Sequence, residues 1–464
     1  MNRIDPASSN LQSASDARAL IEKGLLTSCE LVEACLKRID ELEPTIGAWA
    51  HLDREVALQQ ARAADEFRKS GLPTGALHGL PIGIKDIIDT VDYPTERGTV
   101  LHQGRQPDRD ATLVSLLKEA GAIILGKTVS TEMAVYAPGK TRNPHNPEHT
   151  PGGSSSGSAA AVAAAMVSLS VGTQTNGSVI RPAAYCGVYG YKPSFGRISR
   201  HGVLKQSPPL DTIGVFARDL ADLSLIADVL MRYDAQDSAM IPIAPPCIAG
   251  IMAQEVPVNP HFAFIRSPVW EQVEPVTKDA FRELIEATNE AQPKTIDIVD
   301  MPASFAALHE DHRKVMEGDL ARSFAAEYQR GKTQLSDVLR DMIERGQQVS
   351  DTDYQQALAH VSDYNDFLGE VFEDYDAILT PATPGPAPAG IDATGSPVMN
   401  TIWTFCGTPA INLPILQSPE GLPMGVQVVG ERNDDARLFR STRWLLDVLQ
   451  NDSSDASDNL FLLY

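Results

Sequence analysis

Apolar and polar positions follow a helical period over the first part of the chain and a shorter one beyond residue 77. Residues 15–26, 28–42 and 54–67 carry apolar side chains at helical spacing, and the second stretch opens on Ser28 as N-cap with Leu31 and Val32 following. Residues 1–70 therefore read as N-terminal helices. Beyond them the runs 80–88, 122–125 and 167–171 are strand-like, whereas 111–120 and 156–165 are helical. Strands alternating with helices predict an α/β sheet buried on both faces. Residues 304–376 return to helix, rich in Ala, Glu, Asp and Arg. The strand-like Ile378-Leu379-Thr380 then enters a Pro/Gly-rich loop over 381–397, and 410–414 and 425–430 add short strands. Residues 451–459 read as a solvated linker before an apolar tail, Leu460 to Tyr464. The order contains no internal repeat.

Composition narrows the class. With 464 residues, 43% of them apolar, the chain can bury a large core, in one long α/β domain or in units of ~150 residues. The balance of 39 Lys and Arg against 61 Asp and Glu gives a net charge of −22. That charge repels phosphate backbones and anionic membranes, so neither is an expected partner. The longest apolar run, 159–167, is far shorter than the ~20 residues of a membrane span. Met1-Asn2-Arg3-Ile4-Asp5-Pro6 carries no apolar stretch of a secretion signal. Five scattered cysteines without a Cys-x-x-Cys pair argue against a disulfide framework and against a cysteine zinc site. A soluble, cytoplasmic, acidic globular protein is predicted.

Two segments depart from ordinary core and loop chemistry. Gly152-Gly153-Ser154-Ser155-Ser156-Gly157 has the composition of a flexible linker, yet it leads directly into the Ala-rich run 159–165. Its glycines thus stand at a helix N-terminus, where free N–H groups and the dipole stabilise negative charge. Gly153-Ser154-Ser155-Ser156-Gly157 also matches a nucleophile elbow, but the proline-rich residues before it supply no strand, and the elbow reading fails on context.

The second segment is Gly172-Thr173-Gln174-Thr175-Asn176-Gly177-Ser178-Val179-Ile180-Arg181-Pro182. Asn176-Gly177 is a hairpin-turn signal. The alternative is a strand–loop–helix junction with Pro182 in the first turn of the helix, which would present consecutive backbone N–H groups beside Ser178. A serine nucleophile needs a base. None of the ten histidines suggests a triad, and none follows His360. Lys85, in the apolar run Leu80-Pro81-Ile82-Gly83-Ile84-Lys85-Asp86, can serve if burial lowers its pKa; the plainer reading pairs it with Asp86. His309 and His312, three apart on a helix, read as an exposed polar face, and prolines separate His145 from His149. No catalytic metal is predicted.

At these residues the chain resembles the amidase signature family. Gly79-Leu80-Pro81-Ile82-Gly83-Ile84-Lys85-Asp86 is similar to its lysine segment, 152–157 to its Gly/Ser segment and 175–182 to its nucleophile segment. Gly190-Tyr191-Lys192-Pro193-Ser194 and Gly407-Thr408-Pro409-Ala410 resemble later landmarks. The likeness is densest over 77–217 and extends over most of the chain.

The resemblance implies one α/β/α domain over 1–464, with a large central mixed sheet covered by helices on both faces. Its parts would be the N-terminal helices (1–70), a catalytic core (77–217) and a helical segment on the substrate side (304–376). It implies a Ser178 nucleophile, with Ser154 relaying protons to a neutral Lys85 across a cis Gly153–Ser154 bond. The backbone N–H groups of Thr175, Asn176, Gly177 and Ser178 would hold the oxyanion. Arg181, Gln174, Gly153 and Met133 are candidate substrate contacts; Arg181, about one helical turn past Ser178, would either bind a carboxylate or another strong acceptor of the substrate or hold the loop through a structural ion pair. No metal or organic cofactor is required.

Two positions depart from the family pattern: Gln174 and Asn176 replace the Asp and the first Gly of Thr-Asp-Thr-Gly-Gly-Ser, and Asn suits that loop by tolerating positive φ. Arg181 also falls one residue later than usual, as in the malonamidase-like branch. The expected activity is carbon–nitrogen hydrolysis of a small amide. Carbamate or urea hydrolysis and the glutaminase subunit of an amidotransferase are the alternatives. A small amide or carbamate and a second copy of the chain are the expected partners.

Overall fold

The computed structural model describes residues 5–452; the apolar tail at 460–464, and all but the first two residues of the linker before it, lie outside them. Eleven strands form one sheet: β1 (Trp49–Leu52), β2 (Pro81–Lys85), β3 (Ile123–Thr128), β4 (Leu169–Gln174), β5 (Tyr189–Lys192), β6 (Thr212–Ala217), β7 (Phe262–Arg266), β8 (Ile296–Asp300), β9 (Ala377–Pro381), β10 (Ala410–Gln417) and β11 (Pro423–Val429). Their order in space is β1-β3-β2-β4-β6-β5-β10-β11-β9-β7-β8. The sheet is mixed: β2 runs parallel to β3 and β4, and β7 parallel to β8 and β9, while the central pairs from β4 to β11 are antiparallel.

Side chains alternate between the faces of a strand, so a strand buried at every residue is covered on both sides. β2, β3, β4, β6, β9 and β11 are buried at every residue, whereas the edge strands β1 and β8 are partly exposed. The predicted sheet, covered on both faces, is the one observed, in a single domain.

Local chemistry moved several predicted boundaries. The helix Ser28–Ile46 is capped by Thr27, not Ser28: Thr27 Oγ1 accepts from Glu30 N and Glu30 Oε2 accepts from Thr27 N, a reciprocal capping box. β2 stops at Lys85, short of the expected 88, because the N–H groups of Ile87 and Ile88 turn back to Lys85 O at 2.8 and 3.0 Å. The helical stretch 304–376 divides into Leu308–Ser323, Ala325–Gly331, Asp337–Gly346 and Asp351–Asp374, the last two begun by the caps Ser336 and Ser350.

The topology gathers three chain segments at one edge. Because β2 and β4 are parallel neighbours, Lys85 and Gln174, their last residues, emerge at the same end of the sheet. Antiparallel β6 pairs Thr212 with Gln174, so the residues entering β6 lie beside those leaving β4. The carboxyl ends of strands in such sheets are where ligands bind.

Candidate active site

Lys85 is wholly buried at the end of β2. Its Nζ lies 2.7 Å from Ser154 Oγ, 3.0 Å from Ser155 Oγ and 2.9 Å from Thr173 Oγ1. Asp86 is not its partner, for Asp86 faces the Lys127 ammonium at 3.6 Å. Burial drives the Lys85 pKa well below the usual lysine value; Asp211 opposes that shift and Arg181 adds to it. A neutral amine offers two N–H donors and one lone pair. Ser155 donates its own proton to Thr173 O at 3.1 Å, so it accepts from Nζ, and Ser154 and Thr173 are the hydroxyls able to face the lone pair.

The Gly/Ser segment is a packed wall, not a linker. Residues 151–162 are all buried, and the peptide bond Gly153–Ser154 is cis. The helix Ser156–Ala163 starts immediately after Ser155. Two glycines make this packing possible. A Cβ on Gly157 would come within 2.2 Å of Ala48 O, and one on Gly172 within 2.5 Å of Ser155 Oγ. Only a residue without a side chain lets Ser155 reach both Lys85 and β4.

The segment after β4 is the strand–loop–helix junction rather than a hairpin, with the helix Ile180–Cys186 following the loop. Gln174 Oε1 accepts from Val179 N and Ile180 N at 2.8 and 3.0 Å, and its Nε2 donates to Thr404 Oγ1. By contrast, the N–H groups of Thr175, Asn176, Gly177 and Ser178 meet no protein acceptor among the described residues. Asn176 does not use the left-handed region that its replacement of glycine suggested. Its side chain instead donates to Tyr136 Oη at 3.0 Å and accepts from Thr401 Oγ1 at 2.8 Å, which holds the loop from both sides. Ser178 ends the loop at 7% exposure, and its Oγ makes no hydrogen bond among the described residues.

A cleft of about 520 Å³ opens onto this loop at Asn176, bounded by Tyr136, His309, Met316, Met342 and Val398. Its wall holds buried Glu317, which accepts from Arg313 Nη1 and Arg345 Nη2 at 2.6 Å each. A second cavity of about 300 Å³ touches Thr173, Thr175, Gln206 and Asp211.

The family model for amidases matches residues 30–439. The chain belongs to the amidase signature family. It is 34% identical to a glutamyl-tRNA(Gln) amidotransferase subunit from Chloroflexus aggregans, over 92% of this chain and 94% of the relative. It is 32% identical to a putative amidase, AmiD, of Mycobacterium bovis, over 95% and 94%. Among solved structures, the native peptide amidase of Stenotrophomonas maltophilia superposes with a TM-score of 0.81 at 26% identity, covering 98% of this chain and 99% of that one. A protein from a vestigial complex bearing on the origins of an s-triazine catabolic enzyme gives a TM-score of 0.86 at 25% identity, over 94% and 98%. Hydrolysis of carbon–nitrogen bonds is the chemistry of this family.

Within this family member the predicted substrate contacts are used differently from expectation. Arg181 is 0% exposed and points inward, donating from Nε and Nη2 to Gly153 O and from Nη1 to Gly395 O, so its fork is filled by backbone carbonyls rather than left for a carboxylate. Gln174 is likewise occupied as the cap of the following helix. Gly153 supplies the carbonyl that Arg181 holds. Met133 is buried in a turn of two left-handed residues, Met133 and Ala134, and its carbonyl accepts from Gln206 Nε2 at 3.1 Å.

The histidine expectation also needs correcting. His309 and His312 are no exposed polar face. His312 is buried, its Nε2 donates to Thr175 O at 3.1 Å, and burial pushes its pKa down to about 4; His309 bonds Val398 O. Spacing alone could not show that this helix lies against the loop after β4. Among the described residues no group of three His, Cys, Asp or Glu gathers to hold a metal, and no helix is long and apolar enough to cross a membrane.

Proposed function

We propose that this chain hydrolyses the carbon–nitrogen bond of a small amide through an acyl-enzyme on Ser178. The observation that carries the reading is the 2.7 Å contact between Lys85 Nζ and Ser154 Oγ, made by a lysine that burial holds toward its neutral form. Ser178 Oγ attacks the carbonyl carbon, and its proton passes to Ser154 while the Ser154 proton passes to Lys85. The oxyanion is received by the N–H groups of 175–178, whose lack of protein acceptors supports that role. Ser154 then returns a proton to the leaving amine, which departs as the C–N bond breaks. Water attacks the ester and gives its proton to the same relay, which returns one to Ser178 Oγ as the C–O bond breaks and the acid leaves. The Ser154–Ser178 contact closes as substrate binds, as catalytic hydrogen bonds commonly do. The cleft at Asn176 is the substrate site of this reading.

A second reading has one specific support, the 34% identity to a component of a glutamyl-tRNA(Gln) amidotransferase. There the same triad would serve as a glutaminase within a complex. A turnover screen over neutral amides, dicarboxylic half-amides, glutamine, carbamates and ureas separates the two, with Ser178→Ala as the blank. Amide turnover by the isolated chain supports the first reading. Glutamine turnover that appears only with a stoichiometric co-purifying partner would replace it with the second.

A further inference from the structure

The hydroxyl of Thr175, first residue of the oxyanion loop, faces two oxygen acceptors at once. Thr175 Oγ1 lies 2.5 Å from Gln206 Oε1 and 2.7 Å from Asp211 Oδ1. A hydroxyl carries one proton, so two such short contacts need a second proton from one of the partners. Gln206 cannot supply it. Turning its amide over would aim Oε1 at Met133 O, which now accepts from Gln206 Nε2 at 3.1 Å. Asp211 can. Its Oδ2 accepts from Gln206 N and Ser207 N at 2.9 and 3.1 Å, which leaves Oδ1 as the oxygen that bears a proton.

We propose that Asp211 is held as the neutral carboxylic acid and acts as a positioning residue, the head of a one-way hydrogen-bond chain from Asp211 Oδ1–H through Thr175 Oγ1–H and Gln206 Nε2–H to Met133 O. The chain fixes the start of the oxyanion loop from its hydroxyl side, while His312 holds the carbonyl of the same residue. In its protonated form it also carries no negative charge to favour the ammonium form of Lys85, since Asp211 is the acid whose field acts on that amine. The charged groups around Asp211 are Lys85 and Arg200, whose Nη1 donates to Asp211 O at 3.2 Å and which is itself paired with Asp237. Asp211 is half-buried where it borders the smaller cavity, and desolvation raises its pKa to about 6. The effect on catalysis rests on the Ser178 reading above; the protonation state does not.

Difference infrared spectroscopy between the wild type and Asp211→Asn tests the protonation directly. A carboxylic-acid carbonyl band that the substitution removes, seen at a pH where free aspartate is ionised, is the expected result. Only a carboxylate band for Asp211 there overturns the proposal. Kinetics give the second arm. Asparagine can donate to Thr175 and accept from Gln206 N and Ser207 N, so Asp211→Asn should recover most of an about ten-fold or greater loss in kcat/KM seen in Asp211→Ala. Equal losses in both variants would assign Asp211 to an anionic role and sink the proposal. Should Asp211→Ala not fold, Thr175→Val against Thr175→Ser makes the same comparison from the other end of the contact. Failure of the Ser178 reading would show separately, as turnover by Ser178→Ala.

Discussion

Arg181 holds Gly153 by its carbonyl: Nε and Nη2 lie 3.2 and 2.7 Å from Gly153 O, one residue ahead of the serine that contacts Lys85. The guanidinium is therefore a brace for the Gly/Ser segment, and burial lowers its pKa without a carboxylate partner among the described residues. Lysine would keep the charge but lose the planar fork. Arg181→Lys should cost about 1–3 kcal/mol of stability per orphaned carbonyl. It should lower kcat/KM alike for neutral and carboxylate-bearing amides. Urea denaturation with parallel kinetics on both substrate types checks this, and a loss confined to carboxylate-bearing amides would restore Arg181 to substrate recognition.

A lysine base works only when unprotonated. With the Lys85 pKa driven well below 10.5 by burial, kcat/KM should rise with pH through that lowered value and level off above it. An ordinary lysine would still be climbing toward 10.5. Lys85→Ala and Ser154→Ala should each lose about 10²–10⁴-fold in rate. Ser178→Ala should abolish turnover, and a fluorophosphonate should label Ser178. Labelling of Ser155 instead would overturn the assignment of the nucleophile.

Gln174 shows how a departure from the family pattern is absorbed. Its amide oxygen meets two N–H groups at the start of the helix Ile180–Cys186, and its amide nitrogen meets Thr404, whose hydroxyl in turn donates to Asn176 O. Gln174→Ala leaves both N–H groups without that acceptor. It should destabilise the fold by about 1–3 kcal/mol and slow turnover by loosening the loop that bears Ser178. Full stability in a thermal or urea titration would show that the cap is dispensable.

The local setting of the motif residues was legible because each lies on a short, strongly patterned element: Lys85 at the end of an apolar strand, Ser154 before an Ala-rich helix, Ser178 between a strand and a helix. What holds these residues was not. Ser155 and Thr173 reach Lys85 only because β2 and β4 are adjacent, and Asp211 meets Thr175 only because β6 runs antiparallel with Thr212 opposite Gln174. Such neighbours follow from strand order, which periodicity does not encode. Likewise, the stretch 218–303, to which the pattern assigned no element, supplies β7 and β8 at the far edge of the sheet and the helix Pro275–Ala291. The short edge strand β8 is largely exposed and lacks the continuous apolar run that marks the central strands.

His312 couples the loop after β4 to acid. The folded protein holds its imidazole neutral, because burial pushes the pKa from 6.5 to about 4 and Nε2 is committed to Thr175 O. As pH falls below 6.5, the unfolded chain takes up a proton at this residue while the folded chain does not until about 4. Stability from this group is therefore full above 6.5 and declines between 6.5 and 4, by about 3 kcal/mol in all. Asp211 works in the opposite direction over part of the same range, since its raised pKa of about 6 favours the folded state as acid is added. The comparison must therefore be made between the wild type and His312→Gln, which keeps a donor toward Thr175 O and removes the titration. Urea denaturation at pH 7 and pH 4.5 should show the wild type losing more stability than the variant on acidification. Equal losses would place His312 outside the acid response and leave it only the task of holding Thr175.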